Sequence, residues 1–146
     1  MLLATLRKTL TLQTCVCRYG AHTDYTGFTI LGPDPVVPGL QVQLLSGDWV
    51  DVPLVGDVAA RCGTHPATTF IVNAGDLLPV WTNDRWVSAP HRVVNPAPEL
   101  AHLSRTSLVF FTGPRNDAVV TPIPARYPPV TAGEHLRAKL ERTNVD

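Results

Sequence analysis

Short apolar segments alternate with turn-forming residues along most of the chain. The segments are rich in Val, Ile, Leu, Thr and aromatic residues, and Gly, Pro, Asp and Asn separate them, which is typical of strands joined by turns. The strand-like segments are 25–31, 40–45, 48–52, 69–73, 77–82, 91–95 and 105–112. Many short strands at this spacing predict a mostly β fold, a sandwich or a jelly roll, in which each sheet buries one face.

The pattern changes near the end of the sequence. Thr131 is followed three residues later by Glu134, a capping-box signature that satisfies free backbone amides at the start of a helix. We therefore expect a helix over residues 132–142. Leu136 and Leu140 are spaced to share one face of it, so the helix is predicted to be amphipathic and to lie on the sheet in a structural role.

The composition narrows the class of protein. Of the 146 residues, 45% are hydrophobic and 16% are charged, which excludes a disordered chain. No stretch approaches the roughly 20 apolar residues of a membrane span. The formal net charge of +0 provides no field that would attract nucleic acid or anionic lipid, so an acidic ligand needs a local binding site.

The cysteines indicate the compartment. Cys15, Cys17 and Cys62 are odd in number, the C-x-C pair is too tight for an ordinary disulfide, and there is no second pair to complete a zinc site. This pattern favours a reducing environment, and we expect a cytoplasmic protein.

Five polar residues at strand ends form the candidate site. His22 and Asp24 are two residues apart, and extended backbone turns such side chains to the same side, where they can share a metal ion. His91 opens another strand. Two imidazoles and one carboxylate make the facial triad of non-haem iron(II) oxygenases. Arg105 and Ser107, again two apart, offer a planar charged fork and a hydroxyl to a dicarboxylate.

At these residues the sequence resembles the isopenicillin N synthase-like iron(II)/2-oxoglutarate oxygenases. The resemblance covers residues 18–142 and rests on an ordered set of motifs. They are YGAHTDYTGFTIL, GLQV, GDWVDVP, FIVNAGDLLPVWTNDRW, SAPHRVVNP, RTSLVFF and YPPVTAGEHLRAKL. The resemblance implies a double-stranded β-helix in which His22, Asp24 and His91 match the iron ligands, while Arg105 and Ser107 match the pair that binds the far carboxylate of 2-oxoglutarate.

The resemblance also implies an activity. The expected reaction couples oxidative decarboxylation of 2-oxoglutarate to hydroxylation, desaturation or cyclisation of a small organic metabolite, with iron(II) as the metal and O2 as the oxidant. Two alternatives stay open. One is an oxidase of the isopenicillin N synthase type, which does not use 2-oxoglutarate, and the other is an inactive, truncated jelly roll that serves as a binding module.

The sequence divides into two parts and departs from the family pattern twice. Residues 1–17 form a short divergent segment with at most one strand, for which 9–17 is the candidate, and residues 18–146 form the jelly-roll core with its helix. Because family members have a longer region before the His-x-Asp motif, part of the barrel wall is expected to be missing, which would expose apolar surface. The insertion 56–68 is expected to be a surface loop.

Other residues have ordinary structural explanations. Asp76 is expected in a turn that bonds its own backbone, and Asn83–Asp84 in another turn. Trp81 and Trp86 are expected in the core rather than in a substrate pocket.

Two further histidines offer no second metal site, and the sequence motifs of two other enzyme classes are absent. His65 and His102 lack a carboxylate two residues away and are expected to be exposed. The sequence contains neither a G-x-S-x-G nucleophile motif nor a glycine-rich phosphate loop, which disfavours a serine hydrolase and a nucleotide enzyme.

Overall fold

The computed structural model describes residues 2–6, 17–63 and 69–143. The strands are β1 Leu2–Leu6, β2 Cys17–His22, β3 Phe28–Gly32, β4 Leu40–Gln43, β5 Trp49–Asp51, β6 Ile71–Ala74, β7 His91–Val94, β8 Arg105–Thr112, β9 Val119–Val120 and β10 Val130–Thr131. The helices are α1 Val55–Cys62, α2 Leu77–Thr82 and α3 Ala132–Thr143. None of the helices in the described ranges is long and apolar enough to cross a membrane.

The strands form two four-stranded sheets and a two-stranded ribbon. One sheet has the order β2-β7-β4-β5, the other β1-β8-β3-β6, and β10 pairs with β9. In the first sheet β7 runs antiparallel to both of its neighbours. Apart from the hairpin of β4 and β5, neighbouring strands of the two four-stranded sheets are distant along the chain, so the sheets are built mainly from crossing connections. The predicted mostly β class is confirmed.

The strand β1 lies nearer the N-terminus than the sequence pattern indicated. It pairs antiparallel with β8 over five residues, from Leu2 opposite Val109 to Leu6 opposite Arg105. Hence β8 lies inside its sheet, between β1 and β3. The candidate strand over 9–17 falls almost wholly on residues 7–16, which lie outside the described residues.

Contacts divide the chain into two compact units. The first consists of residues 1–22, 31–71 and 90–110, and the second of residues 23–30, 72–89 and 111–146. Among the described residues of the first unit, the buried apolar ones are Val37, Val55, Ala59 and Val93. In the second unit Leu77, Val120 and Ala132 form a buried cluster against which Val130 packs.

The C-terminal helix α3 begins where the capping box predicts. The Thr131 amide donates to the Glu134 carboxylate at 3.1 Å, and the Glu134 amide donates to the Thr131 hydroxyl at 3.2 Å. The predicted buried face is only partly correct. Leu136 is half-buried and Leu140 is 44% exposed, whereas the buried position of the helix is Ala132.

Two segments fold differently from their predictions. Residues 77–82, expected to be a strand, form α2, because Leu77 and Leu78 are both buried and successive burial fits a helix better than a half-buried strand. The insertion 56–68 is not only a loop, since its first part belongs to α1, which ends at Gly63 in the left-handed conformation with φ 66°. Residues 64–68 lie outside the described part of the chain.

Several single-residue expectations are also settled. Asn83 and Asp84 form a turn with positive φ values of 53° and 62°, as predicted. His102 is exposed, as predicted, and His65 lies outside the described residues. The prediction for the tryptophans is wrong, because Trp81 is 50% and Trp86 51% exposed and neither is in the core.

Candidate metal centre

The two predicted histidine ligands lie opposite each other on neighbouring strands. In the pairing of β2 with β7, His22 is the partner of His91, and the ring centroids are 4.3 Å apart. Nδ1 of His22 lies 2.9 Å from the Gly20 carbonyl oxygen. A carbonyl oxygen only accepts, so Nδ1 is the donor in this contact, and Nε2 is the ring nitrogen that can bind a metal.

The carboxylate of Asp24 is held by two side-chain donors. Asp24 is 7% exposed, and its Oδ2 accepts hydrogen bonds from Thr29 Oγ1 at 2.5 Å and from Asn73 Nδ2 at 2.7 Å. Both donors act on the same oxygen, which fixes the plane of the carboxylate. Such bonds orient metal-binding carboxylates and are a recurrent feature of metal sites.

A backbone ladder holds the segment that carries Asp24. The Asp76 amide donates to the Asp24 carbonyl at 2.7 Å, and the Gly75 amide donates to the Gly27 carbonyl at 2.6 Å. A Cβ at Gly75 would overlap the Thr26 carbonyl oxygen, so this approach requires glycine. The backbone of Asp24 is therefore fixed independently of its side chain.

Asp76 has a different role from the predicted turn. Its carboxylate accepts from Thr23 Oγ1 at 2.9 Å and forms an ion pair with Lys139 Nζ at 2.7 Å, and it makes no capping bond to its own helix. The turn prediction for its side chain is wrong. Because Lys139 lies on α3, this pair connects the C-terminal helix to the residue that precedes Asp24.

The three predicted ligands come together. One ligand atom from each of His22, Asp24 and His91 lies within 4.8 Å of the others. This donor set, two imidazole nitrogens and one carboxylate oxygen, suits a divalent iron ion, and three ligands leave other coordination positions for exogenous groups. The residues present thus fit the metal that the sequence implies.

The predicted co-substrate pair lies at the start of β8. Arg105 is 6% and Ser107 8% exposed, and Nε of Arg105 and Oγ of Ser107 have no hydrogen-bond partner among the described residues. Buried polar atoms are normally hydrogen-bonded, so these two indicate a polar ligand. Burial is the main reason that the pKa of Arg105 lies below its ordinary value, and Asp34 opposes this effect. The guanidinium remains charged at neutral pH because its ordinary pKa is so high.

Sequence reasoning missed Asp34, which supports the start of β8. Its Oδ1 accepts from the amides of Val36 and Val37, both at 2.9 Å, and its Oδ2 accepts from the Thr106 amide at 2.9 Å. Burial alone would raise the pKa of Asp34. The three amide hydrogen bonds and the charge of Arg105 outweigh burial, so the pKa lies below its ordinary value. The available signal was an Asp before Pro in a turn, which often bonds backbone amides.

Together the fold and these residues define a class of protein. A pair of four-stranded sheets that carries a His-Asp-His group and a buried arginine with orphaned donors is the arrangement of a non-haem iron(II) oxygenase. A family model described as the 2OG-Fe(II) oxygenase superfamily matches residues 13–114. The chain belongs to this superfamily, and the family assignment made from sequence is confirmed.

Curated relatives are hydroxylases and oxidases. Homoarginine-6-hydroxylase 2-ODD-233 of Oryza sativa subsp. japonica is 35% identical over 131 residues, which are 83% of this chain and 35% of that enzyme. 1-Aminocyclopropane-1-carboxylate oxidase 1 of the same plant is 41% identical over 105 residues, 72% of this chain and 28% of the oxidase. The chain thus spans about a third of the length of the curated relatives it matches.

Solved structures confirm the fold class. A full-length Neurospora crassa protein, crystallised in complex with alpha-KG, which is 2-oxoglutarate, is 33% identical with a TM-score of 0.70, over 87% of this chain and 38% of that protein. The rice dioxygenase for auxin oxidation is 27% identical with a TM-score of 0.68, over 87% of this chain and 41% of that enzyme. The predicted jelly roll with its C-terminal helix is therefore correct.

Proposed function

We propose that this chain forms the catalytic core of an iron(II)- and 2-oxoglutarate-dependent oxygenase that acts on a small organic metabolite. The observation that carries the proposal is the convergence of His22, Asp24 and His91 within 4.8 Å. Membership of the superfamily and the similarity to the Neurospora crassa protein bound to alpha-KG support it.

In this function His22, Asp24 and His91 hold the iron. The metal supplies the redox chemistry that activates O2, and the protein supplies its position and the open coordination sites. Asp24 offsets part of the positive charge, and its bonds to Thr29 and Asn73 keep the carboxylate in place. The hydrogen bond from Nδ1 of His22 to the Gly20 carbonyl orients the imidazole and leaves Nε2 to bind the metal.

Arg105 and Ser107 bind the far carboxylate of 2-oxoglutarate. The buried guanidinium donates charge-assisted hydrogen bonds and the hydroxyl adds another, which matches the orphaned donors of both side chains. The overall reaction balances as substrate C–H, O2 and 2-oxoglutarate giving substrate C–OH, succinate and CO2. One oxygen atom enters the substrate and the other enters succinate.

Metal binding tests the ligand assignment. The wild-type chain should bind one equivalent of Mn(II), a redox-stable surrogate for iron(II), whereas His22→Ala, Asp24→Ala and His91→Ala should each abolish tight binding. His102→Ala, an exposed histidine, is the matched control and should leave binding unchanged. Wild-type Mn(II) affinity in the three ligand variants would disprove the assignment.

Turnover distinguishes the reaction types. Oxygen-dependent succinate formation from 2-oxoglutarate in the presence of iron(II) is the result expected for the oxygenase. Substrate oxidation without succinate would instead identify an oxidase of the isopenicillin N synthase type. A chain that binds no metal would be the inactive binding module.

We also propose that the protein is cytoplasmic and that its partners are small molecules rather than nucleic acid or membrane. Its chain would consist of a divergent segment, residues 1–17, and a core, residues 18–146. The formal net charge of +0 and the free thiols of Cys17 and Cys62 support this proposal. Reporter fusion to the whole protein followed by microscopy tests the location, and a signal in the secretory pathway would contradict it.

A further inference from the structure

A second arginine lies beside the start of β8. Arg18 on β2 donates from Nη2 to the Leu103 carbonyl oxygen at 3.4 Å, and Leu103 is only two residues before Arg105. The other terminal nitrogen of Arg18, Nη1, is buried and has no hydrogen-bond partner among the described residues. One long hydrogen bond to a carbonyl therefore uses only part of the donor capacity of this guanidinium.

The orphaned donors in this region form a group. In the described part of the chain seven buried side-chain nitrogen or oxygen atoms lack a partner, and three of them belong to Arg18, Arg105 and Ser107. These three atoms are donors on residues at or next to the start of β8, and two of them carry a positive charge. Unpaired buried donors of this kind are costly unless a ligand accepts from them.

The charges in the region do not balance. Arg18 is close enough to Arg105 to lower the pKa of that guanidinium, and Asp34 is the carboxylate that opposes the effect. The oxygens of Asp34 already accept from three backbone amides. The region therefore holds two partly desolvated guanidinium groups and one carboxylate, which leaves an excess of positive charge. A bound carboxylate would neutralise this excess.

We propose that Arg18 acts together with Arg105 and Ser107 as a second cationic contact for the far carboxylate of the co-substrate. This inference rests on the proposed function and deepens it, because it assigns a binding role to a residue outside the Arg105–Ser107 motif. The competing explanation is that Arg18 only ties β2 to the segment before β8 through Leu103.

A pair of ligands separates the two roles. 2-Oxopentanoate has the same chelating 2-oxo acid group as 2-oxoglutarate but carries a methyl group in place of the far carboxylate. Calorimetric affinities of both ligands are measured for the Mn(II)-loaded chain. In Arg18→Met the affinity for 2-oxoglutarate should fall about tenfold or more, as expected for the loss of a charge-assisted hydrogen bond, while the affinity for 2-oxopentanoate should change less than about twofold.

Two further variants and one control complete the experiment. Arg18→Gln keeps a donor for the Leu103 carbonyl but removes the charge, so it should reproduce the selective loss even if Arg18→Met does not fold. Arg18→Lys should recover part of the affinity for 2-oxoglutarate. Arg115→Met removes an arginine whose side chain is 87% exposed and should change neither affinity.

The outcomes are distinguishable. Equal losses for the two ligands, or no loss for either, would overturn the role of Arg18. If Arg105→Met also leaves 2-oxoglutarate affinity unchanged, or if the wild-type chain does not bind 2-oxoglutarate with Mn(II) present, the proposed function itself is wrong. A selective loss in the Arg105 variant but not in the Arg18 variants would keep the proposed function and reject this inference.

Discussion

At the scale of single residues, the charged side chains of the candidate site have specific polar neighbours that support them. Asp24 has two side-chain donors on one oxygen, and Arg105 has a neighbouring carboxylate whose oxygens are fixed by backbone amides. Thr29 and Asn73 orient the Asp24 carboxylate, and Asp34 fixes the backbone next to Arg105. Removing such a support should therefore weaken binding without removing a ligand.

We expect Asn73→Leu and Thr29→Val each to reduce Mn(II) affinity by about tenfold to a hundredfold, the usual effect of losing an outer-shell partner. The physical reason is that Asp24 loses one of the two side-chain donors that orient its carboxylate. Mn(II) titration measures the effect. Thr121→Val, at an exposed position, is the control for the Thr29 change, and unaltered affinity in both support variants would contradict the role given to these donors.

Asp34 should make a pH-dependent contribution to stability. Its folded-state pKa lies below the ordinary value, so the stabilisation is present above the unfolded-state pKa and is lost as the pH falls through the folded-state pKa. Asp34→Asn should lower the free energy of unfolding by about 1–3 kcal/mol at neutral pH, and the difference from wild type should shrink below about pH 4.

Urea unfolding at several pH values checks this prediction. Asp117→Asn removes a carboxylate with a side chain 70% exposed and should have little effect at any pH. A stability difference between wild type and Asp34→Asn that is independent of pH would contradict the electrostatic explanation.

At the scale of elements, α3 is connected to the segment that follows His22. Lys139 pairs with Asp76, and the Tyr25 hydroxyl is 2.8 Å from the Thr143 hydroxyl. His135, also on α3, is half-buried, and burial lowers its pKa, which favours the neutral imidazole. The helix α3 is thus bonded directly to Tyr25 and is linked through Asp76 to Thr23, the two neighbours of Asp24 along the chain.

We expect Lys139→Met to lower the free energy of unfolding by about 3 kcal/mol, because it leaves the Asp76 carboxylate buried without its cation. Chemical unfolding measures the change. Arg137→Met, an exposed position on the same helix, is the matched control. The double variant Lys139→Met with Asp76→Asn should recover part of the loss, and strict additivity of the two single effects would contradict a direct pair.

At the scale of the whole molecule, metal binding and folding should be coupled. The candidate ligands come from separate parts of the chain, and an unfolded chain does not hold them within 4.8 Å. Mn(II) at about 100 times its Kd should raise the free energy of unfolding by about 2.7 kcal/mol, and a chelator should reverse the gain. Thermal unfolding measures this effect. A similar Mn(II)-induced shift in His91→Ala would show that the stabilisation comes from elsewhere.

The sequence determined those features that depend on local chemistry. β8 spans the predicted residues Arg105–Thr112, and α3 begins at the predicted cap, because strand patterning and capping need only neighbours along the chain. The His-x-Asp spacing and the later His91 likewise indicated the metal group before any contact was known. The family resemblance converted these local signals into the correct jelly roll and the correct superfamily.

Only the tertiary structure decided what depends on partners distant along the chain. Three features depend on which segments meet: the exposure of Trp81, the pairing of Asp76 with Lys139 and the donors of Asp24. The helix α2 forms in place of a predicted strand because Leu77 and Leu78 are buried together. A side chain's type fixes what it can bond, whereas its burial and its partner are set by the packing of the whole chain. For this reason the convergence of the three candidate ligands could be predicted from the sequence and their supports could not.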